Sequence, residues 1–248
     1  MPDGSEQPQV LTPQEAHEAC RALRGSILRQ EVYALDESEQ RDHPYTVSEN
    51  TYQVRWLQPR QDSQYGVFFV HPREALNYAY DRNPADPRLS QSLTLAVDAF
   101  GTVQKSAAVV YPRRSTQVSN HPVVQAAQSQ TLITYTEVDV IHRPDEETFY
   151  RLGLPFATRA YEIAGLQGIE TTPFTPDGLL AEIEAAAEIA YEVQPTAGQV
   201  QKRLVERDRI QYLRNDLIGP LPWGEIESLA LPYQTYRLAF TPELLQRE

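Results

Sequence analysis

The residues here best suited to hold a metal or attack a substrate are His17, His43, His71, His121, His142 and the lone Cys20. A helical metal site needs two ligands at i and i+4, or a frame such as HExxH, and no pair of these histidines has that spacing. His43, His71 and His121 each precede a proline, which biases them towards extended backbone at strand or turn edges, partly exposed. Cys20 with a distant histidine would make a nucleophile–base pair. Ala16, Ala19 and Leu23 accompany Cys20 at helical spacing, however, so it reads as a small hydrophobe buried on an apolar stripe. Neighbouring carboxylates, Glu146–Glu147 and Glu182 with Glu184, read as loop or solvated-helix positions in so acidic a chain. No GxSxG, P-loop or GxGxxG run occurs. The expectation is no catalytic, cofactor-binding or metal-ligating residue, and no cofactor.

The elements that would position such residues are limited by composition. The 248 residues are 41% hydrophobic and 23% charged, enough for a sizeable core. Fourteen tyrosines outnumber seven phenylalanines and two tryptophans, a balance suited to half-wet strands. The net charge of −12 repels phosphate backbones and anionic lipid, so neither nucleic acid nor membrane is an expected partner. Arg113 and Arg114 are too short a basic cluster to reverse this, and read as two solvated arginines at a strand end. A single cysteine excludes an intramolecular disulfide. No window approaches the roughly 18 consecutive apolar residues of a membrane helix. The start, MPDGSEQPQV, lacks the basic and apolar regions of a signal peptide. It points to synthesis in the cytoplasm, or to a piece of a longer polypeptide.

Along the chain, residues 1–11 read as a flexible lead-in. Thr12, Pro13 and Glu15 make a helix start with a capping box, and Gly25 suits a left-handed stop, giving a helix over 13–24. The period then changes to two. Tyr52, Val54 and Trp56 alternate with polar residues, as do Leu76, Tyr78 and Tyr80, then Leu89 to Val97, then Val103 to Tyr111 beyond the turn Asp98–Gly101. Further strand-like runs are 28–35, 65–70, 131–142, 156–163 and 233–240, while 203–213 fits helix or strand, with strand the preferred reading. Pro84 and Pro87 bracket a loop, and 115–130 reads as a loop or short helix. Thr175-Pro176-Asp177 opens a second helix over 177–192 whose apolar face includes Leu179, Ile183 and Ala186. The fold class that follows is mainly β, an antiparallel meander with two or three short helices. It divides into the lead-in, a strand-rich part over 12–170, and a helix with C-terminal strands over 171–248.

Several runs are distinctive: EACRALRG, LRQEVYALD, HPYTVSENTYQVRWLQPR, HPREALNYAYDRNPADPR, LPFATRAYEIAGL and LRNDLIGPLPWGEIESLALPYQTYRLAFTPELL. From about Glu18 to Leu245 the chain resembles the TcB-type (SpvB/TcdB-like) subunit of insecticidal toxin complexes. The similar part is the middle region between the β-propeller and the Rhs/YD repeats. The resemblance implies a piece of a hollow β-strand shell that, with a TcC-type subunit, encloses a toxic cargo until a TcA-type pore receives it. It implies the other shell segments as partners, release within a bacterial toxin complex, and no catalytic residue carried over. The propeller and the Rhs repeats are absent from these 248 residues, and Ala96–Val103 offers only one turn of YD-repeat flavour. The competing expectation is a free-standing β-rich module that binds protein or glycan through aromatics such as Trp56 and Tyr78 on an open face. Placement of Tyr52 and Trp56 on one side of a strand favours core over platform. A hydrolase would need Asp, Glu or His side chains converging in one pocket, which the sequence offers by count and not by spacing.

Overall fold

The computed structural model describes residues 10–60, 64–114, 121–169, 172–241 and 244–246. Within them the chain lays down one ten-stranded sheet. The elements are α1 (Pro13–Ala22), β1 (Arg29–Val32), β2 (Thr46–Gln58), β3 (Val67–Ala79), β4 (Arg88–Val97), β5 (Val103–Val110), α2 (Pro122–Gln128), β6 (Leu132–Arg143), β7 (Arg151–Ala164), α3 (Pro176–Ala185), β8 (Ala187–Ile189), β9 (Gln201–Tyr212) and β10 (Pro232–Arg237). A short 3-10 turn, Leu244–Gln246, follows. Strands β1 to β7 pair each with the next, all antiparallel; the β2–β3, β3–β4, β4–β5 and β6–β7 connections are short, while longer ones join β1 to β2 and, through α2, β5 to β6. After β7 the chain crosses one face through α3, and β9 then pairs antiparallel with β7. The far side of β9 is shared by β8, parallel to its start, and β10, antiparallel to its end. The mainly β class and the meander agree with the sequence reading.

Alternation gives the sheet two unlike faces. Leu93, Ala107, Tyr135, Tyr161 and Leu204 stand opposite one another in turn across five strands. This row joins Leu89, Leu95, Val109, Ile133 and Ile163 in the main core, and α3 closes it with buried Leu179 and Ile183. The row one residue away is Thr94, Ser106, Thr136 and Ala160, small side chains on the opposite face. A smaller core of Ile141, Tyr212, Leu221 and Ile226 lies towards the C-terminal strands.

Four expectations need correction. The helix expected over 177–192 ends at Ala185, because Ala187–Ile189 leave it to pair with β9. The runs 65–70 and 76–80 belong to one strand, β3, with Pro72 inside it. Pro72 adjoins a bulge in β3, where Arg73 is the extra residue between the Thr51–Glu74 and Tyr52–Pro72 pairs, and lies beyond Glu74, where pairing with β4 stops, so the ladder tolerates its missing N–H. Tyr52, Val54 and Trp56 are only half-buried, since this stretch of the β2–β3 hairpin overhangs β4. Finally, α1 has its capping box, with Glu15 N–H donating to the Thr12 hydroxyl oxygen and Glu15 accepting from Thr12 N–H at 3.0 Å. Its apolar stripe, however, is not its anchor: the buried residue of α1 is Glu15, and Cys20 is exposed. Of the segment 115–130, α2 is described and 115–120 lie outside the described residues.

Candidate functional site

Helix α1 docks through carboxylates. Glu15 accepts from the Arg60 backbone N–H at 3.2 Å, and Glu18 from the Gly66 N–H at 2.8 Å, so both ends of the β2–β3 connection are tied to one helix. Bonds from the Thr12 hydroxyl, the Thr12 amide and the Arg60 amide hold the Glu15 carboxyl below its usual range. Cys20 is exposed, three residues along α1 from exposed His17, and the other four histidines lie elsewhere in the fold. Among the described residues, no group of three or more His, Cys, Asp or Glu side chains is arranged to hold a metal ion.

The histidines separate into different roles. His71, expected at an exposed edge, is buried within β3, with Nδ1 2.9 Å from the Pro72 carbonyl oxygen and its ring 5.6 Å from Phe69. His142, near the end of β6, meets Asp98 at 2.8 Å and accepts from the Gly153 amide at 3.1 Å. His43 is half-buried, and His17 and His121 are exposed.

Arg114 is exposed as expected, but Arg113 is not a solvated strand-end arginine. Arg113 donates from Nη2 and Nε to buried Asp86 at 2.6 and 3.2 Å, and the Arg114 N–H donates to the other Asp86 oxygen at 3.0 Å. Together they hold the Arg82–Arg88 loop against the end of β5. A second polar cluster lies on the core face, where Arg159 bridges Glu137 at 3.0 Å and Asp139 at 2.7 Å. The Asp139 and Glu137 carboxylates drive the Arg159 guanidinium further above its already high range. A third network is buried: the Tyr111 hydroxyl donates to Gln91, which donates to Glu74 and to the Phe174 carbonyl, while the Phe174 N–H donates back to Tyr111 at 2.9 Å. The first two clusters set charge against counter-charge and the third joins side chains to the Phe174 backbone, so each locks segments together. None of the three was legible from spacing, because their members lie up to 83 residues apart.

What the geometry leaves open is the sheet's outline. Every residue of β1 and of β10 is exposed. Among the described residues, β1 pairs only with β2 and β10 only with β9, so both strands present an outer row of backbone groups. Large apolar side chains gather at these margins: Ile27, Leu28, Val32, Tyr33 and Leu35 at one, Trp223, Tyr233, Tyr236, Leu238 and Phe240 at the other. Trp223 packs edge-on to Tyr236 at 5.3 Å, with Arg209 over its ring.

Residues 18–154, more than half of the chain, match the family described as insecticide toxin TcdB middle/C-terminal region. The chain belongs to that family. Solved structures agree across nearly its whole length. A crystal structure of TcdB2-TccC3 matches with TM-score 0.72 and 29% identity over 95% of this chain. A Photorhabdus luminescens Tc holotoxin pore matches with TM-score 0.70 and 30% identity, again over 95%. In both cases the match spans 11% of the other chain, so this TcB-type segment corresponds to about a tenth of those polypeptides. A comparison with curated protein sequences gave no match. No helix among the described residues is long and apolar enough to cross a membrane.

Proposed function

We propose that this chain is a wall segment of a toxin-complex shell that helps to enclose a toxic cargo and has no catalysis of its own. The observation that carries this reading is the sheet with two apolar-rimmed edges, unpaired among the described residues, in a segment that matches a tenth of much larger chains. Its partners are then the remaining shell segments, including the propeller and Rhs repeats, with a TcC-type subunit and a TcA-type pore completing the complex. The parts on either side of residue 170 extend one wall, since β7 and β9 pair across that division. The polar clusters described above suit this role, because a wall requires fixed loops and a stable sheet and no reactive group.

The test is a chimera in which this chain replaces the matching segment of TcdB2, co-expressed with TccC3. The expected result is an assembled complex that keeps the TccC3 C-terminal region resistant to added protease. Failure of the chimera to assemble, with the segment itself folded, would contradict the proposal.

A further inference from the structure

Two bonds to one imidazole join parts of the sheet that are far apart in sequence. The Gly153 amide can only donate, so His142 Nδ1 must be the bare, accepting nitrogen, and the proton sits on Nε2, facing Asp98. Asp98 is the hub of the β4–β5 turn: its other oxygen accepts from the Phe100 and Thr102 amides, each at 2.9 Å. The neutral ring therefore ties the β4–β5 turn to the first residues of β7, with Phe100 packed against it at 4.5 Å between ring centres.

We propose that His142 is a proton-operated latch, which holds Gly153 when neutral and releases it when Nδ1 is protonated, while the bond to Asp98 persists. A protonated Nδ1 faces the Gly153 amide donor to donor, and the bond is lost. The Asp98 side is unaffected. Burial alone would raise the Asp98 carboxyl, but the Thr102 amide, the His142 ring and the Phe100 amide outweigh it and hold the group below the usual range. Asp98 is thus an anion whichever form the imidazole takes, and it can hold the Nε2 proton of either. The other charged neighbours leave this arrangement intact. Arg55 of β2 donates to the Asp98 carbonyl at 2.9 Å. Arg143 of β6 donates to the His142 carbonyl at 2.9 Å and lies 3.9 Å from Glu146. Arg151 of β7 donates to the Tyr150 and Ser228 carbonyls, and His71 of β3 is engaged with Pro72. Loss of that bond loosens β7 at Gly153, between the Arg143–Arg151 and Ile141–Leu154 pairs that remain.

The experiment is hydrogen exchange by mass spectrometry on the full chain from about pH 8 to about pH 5, spanning the ordinary imidazole range. Fragmentation reads the Gly153 amide, and exchange at the ring carbon reads protonation of His142 in the same sample. The expected result is an about tenfold loss of Gly153 protection beyond the intrinsic pH effect, the worth of one hydrogen bond, with the same midpoint as His142. In His142→Asn the step is absent. Gly153 protection that stays level through the His142 titration overturns the proposal, as does a His142 ring that never protonates in this range or a step that survives in H142N. Should H142N not fold, the two wild-type midpoints decide alone.

Discussion

Tyr111 places its hydroxyl where the end of β5, the interior of β4 and the entry to α3 meet. Burial pushes this phenol up to about 12, so it stays a neutral donor at any ordinary pH. Tyr111→Phe strands the Gln91 oxygen and the Phe174 N–H in the interior, with an expected cost of about 1–3 kcal/mol in urea unfolding. Gly168 is held in the same place. A Cβ there would lie 2.6 Å from Phe174 and 2.7 Å from Tyr111, while Thr131 holds its backbone at both N–H and carbonyl. At Cys20 the expectation runs the other way. The side chain is exposed, so it should react with a thiol reagent in the folded protein, and Cys20→Ala should change stability by less than about 0.5 kcal/mol. Slow labelling that requires unfolding would contradict the placement. Residue types showed which side chains could do chemistry, but not whom they would meet. Asp98 and His142 are 44 residues apart, Asp86 and Arg113 27 apart, and in neither case does a local pattern encode the partner.

Helix α3 covers the main core as an amphipathic lid, and its two buried residues one turn apart carry the contact. Leu179→Ala or Ile183→Ala should each cost about 2–5 kcal/mol, read as a drop in melting temperature. Its start was legible in Thr175 and Pro176, whose cap is formed. Its end was not, because Ala187–Ile189 are compatible with a helix and are drawn into the sheet by the open flank of β9. Helix α1 shows the same division. Its capping box could be read in four residues, yet its docking depends on Glu15 and Glu18 meeting backbone amides some 45 residues away. In β2 the alternation was read correctly as strand, but burial depends on what lies across it. Trp56 donates its indole N–H to the Gln58 carbonyl at 2.8 Å in the overhanging part of the hairpin. Trp56→Ala should therefore cost about 1–2 kcal/mol, against roughly 3–5 for a fully buried indole. A larger loss would mean that the overhang is covered in solution.

At the scale of the whole molecule, the class and the meander were legible because alternation and turn residues are local signals. The extent of the sheet was not, because whether an edge is paired depends on chain outside the pattern. Nature commonly blunts free edges by shortness and charge, and β1, with four residues and an Arg29–Glu31 pair, is partly blunted. The β10 margin is less so, with Trp223, Tyr236, Leu238 and Phe240 exposed together. Two tendencies oppose each other: a net charge of −12 keeps copies apart, while unpaired backbone and contiguous apolar side chains draw strands together. The pairing should dominate once salt screens the charge, since the Debye length is about 8 Å at physiological ionic strength. The measurement that bears most directly on the wall-segment reading is sedimentation of the purified chain across protein concentration at that ionic strength. It should be run alone and after co-expression with the flanking segments of the shell. The account predicts self-association of the isolated chain and a single monodisperse species once the neighbouring strands are supplied. A stable monomer at every concentration would contradict it.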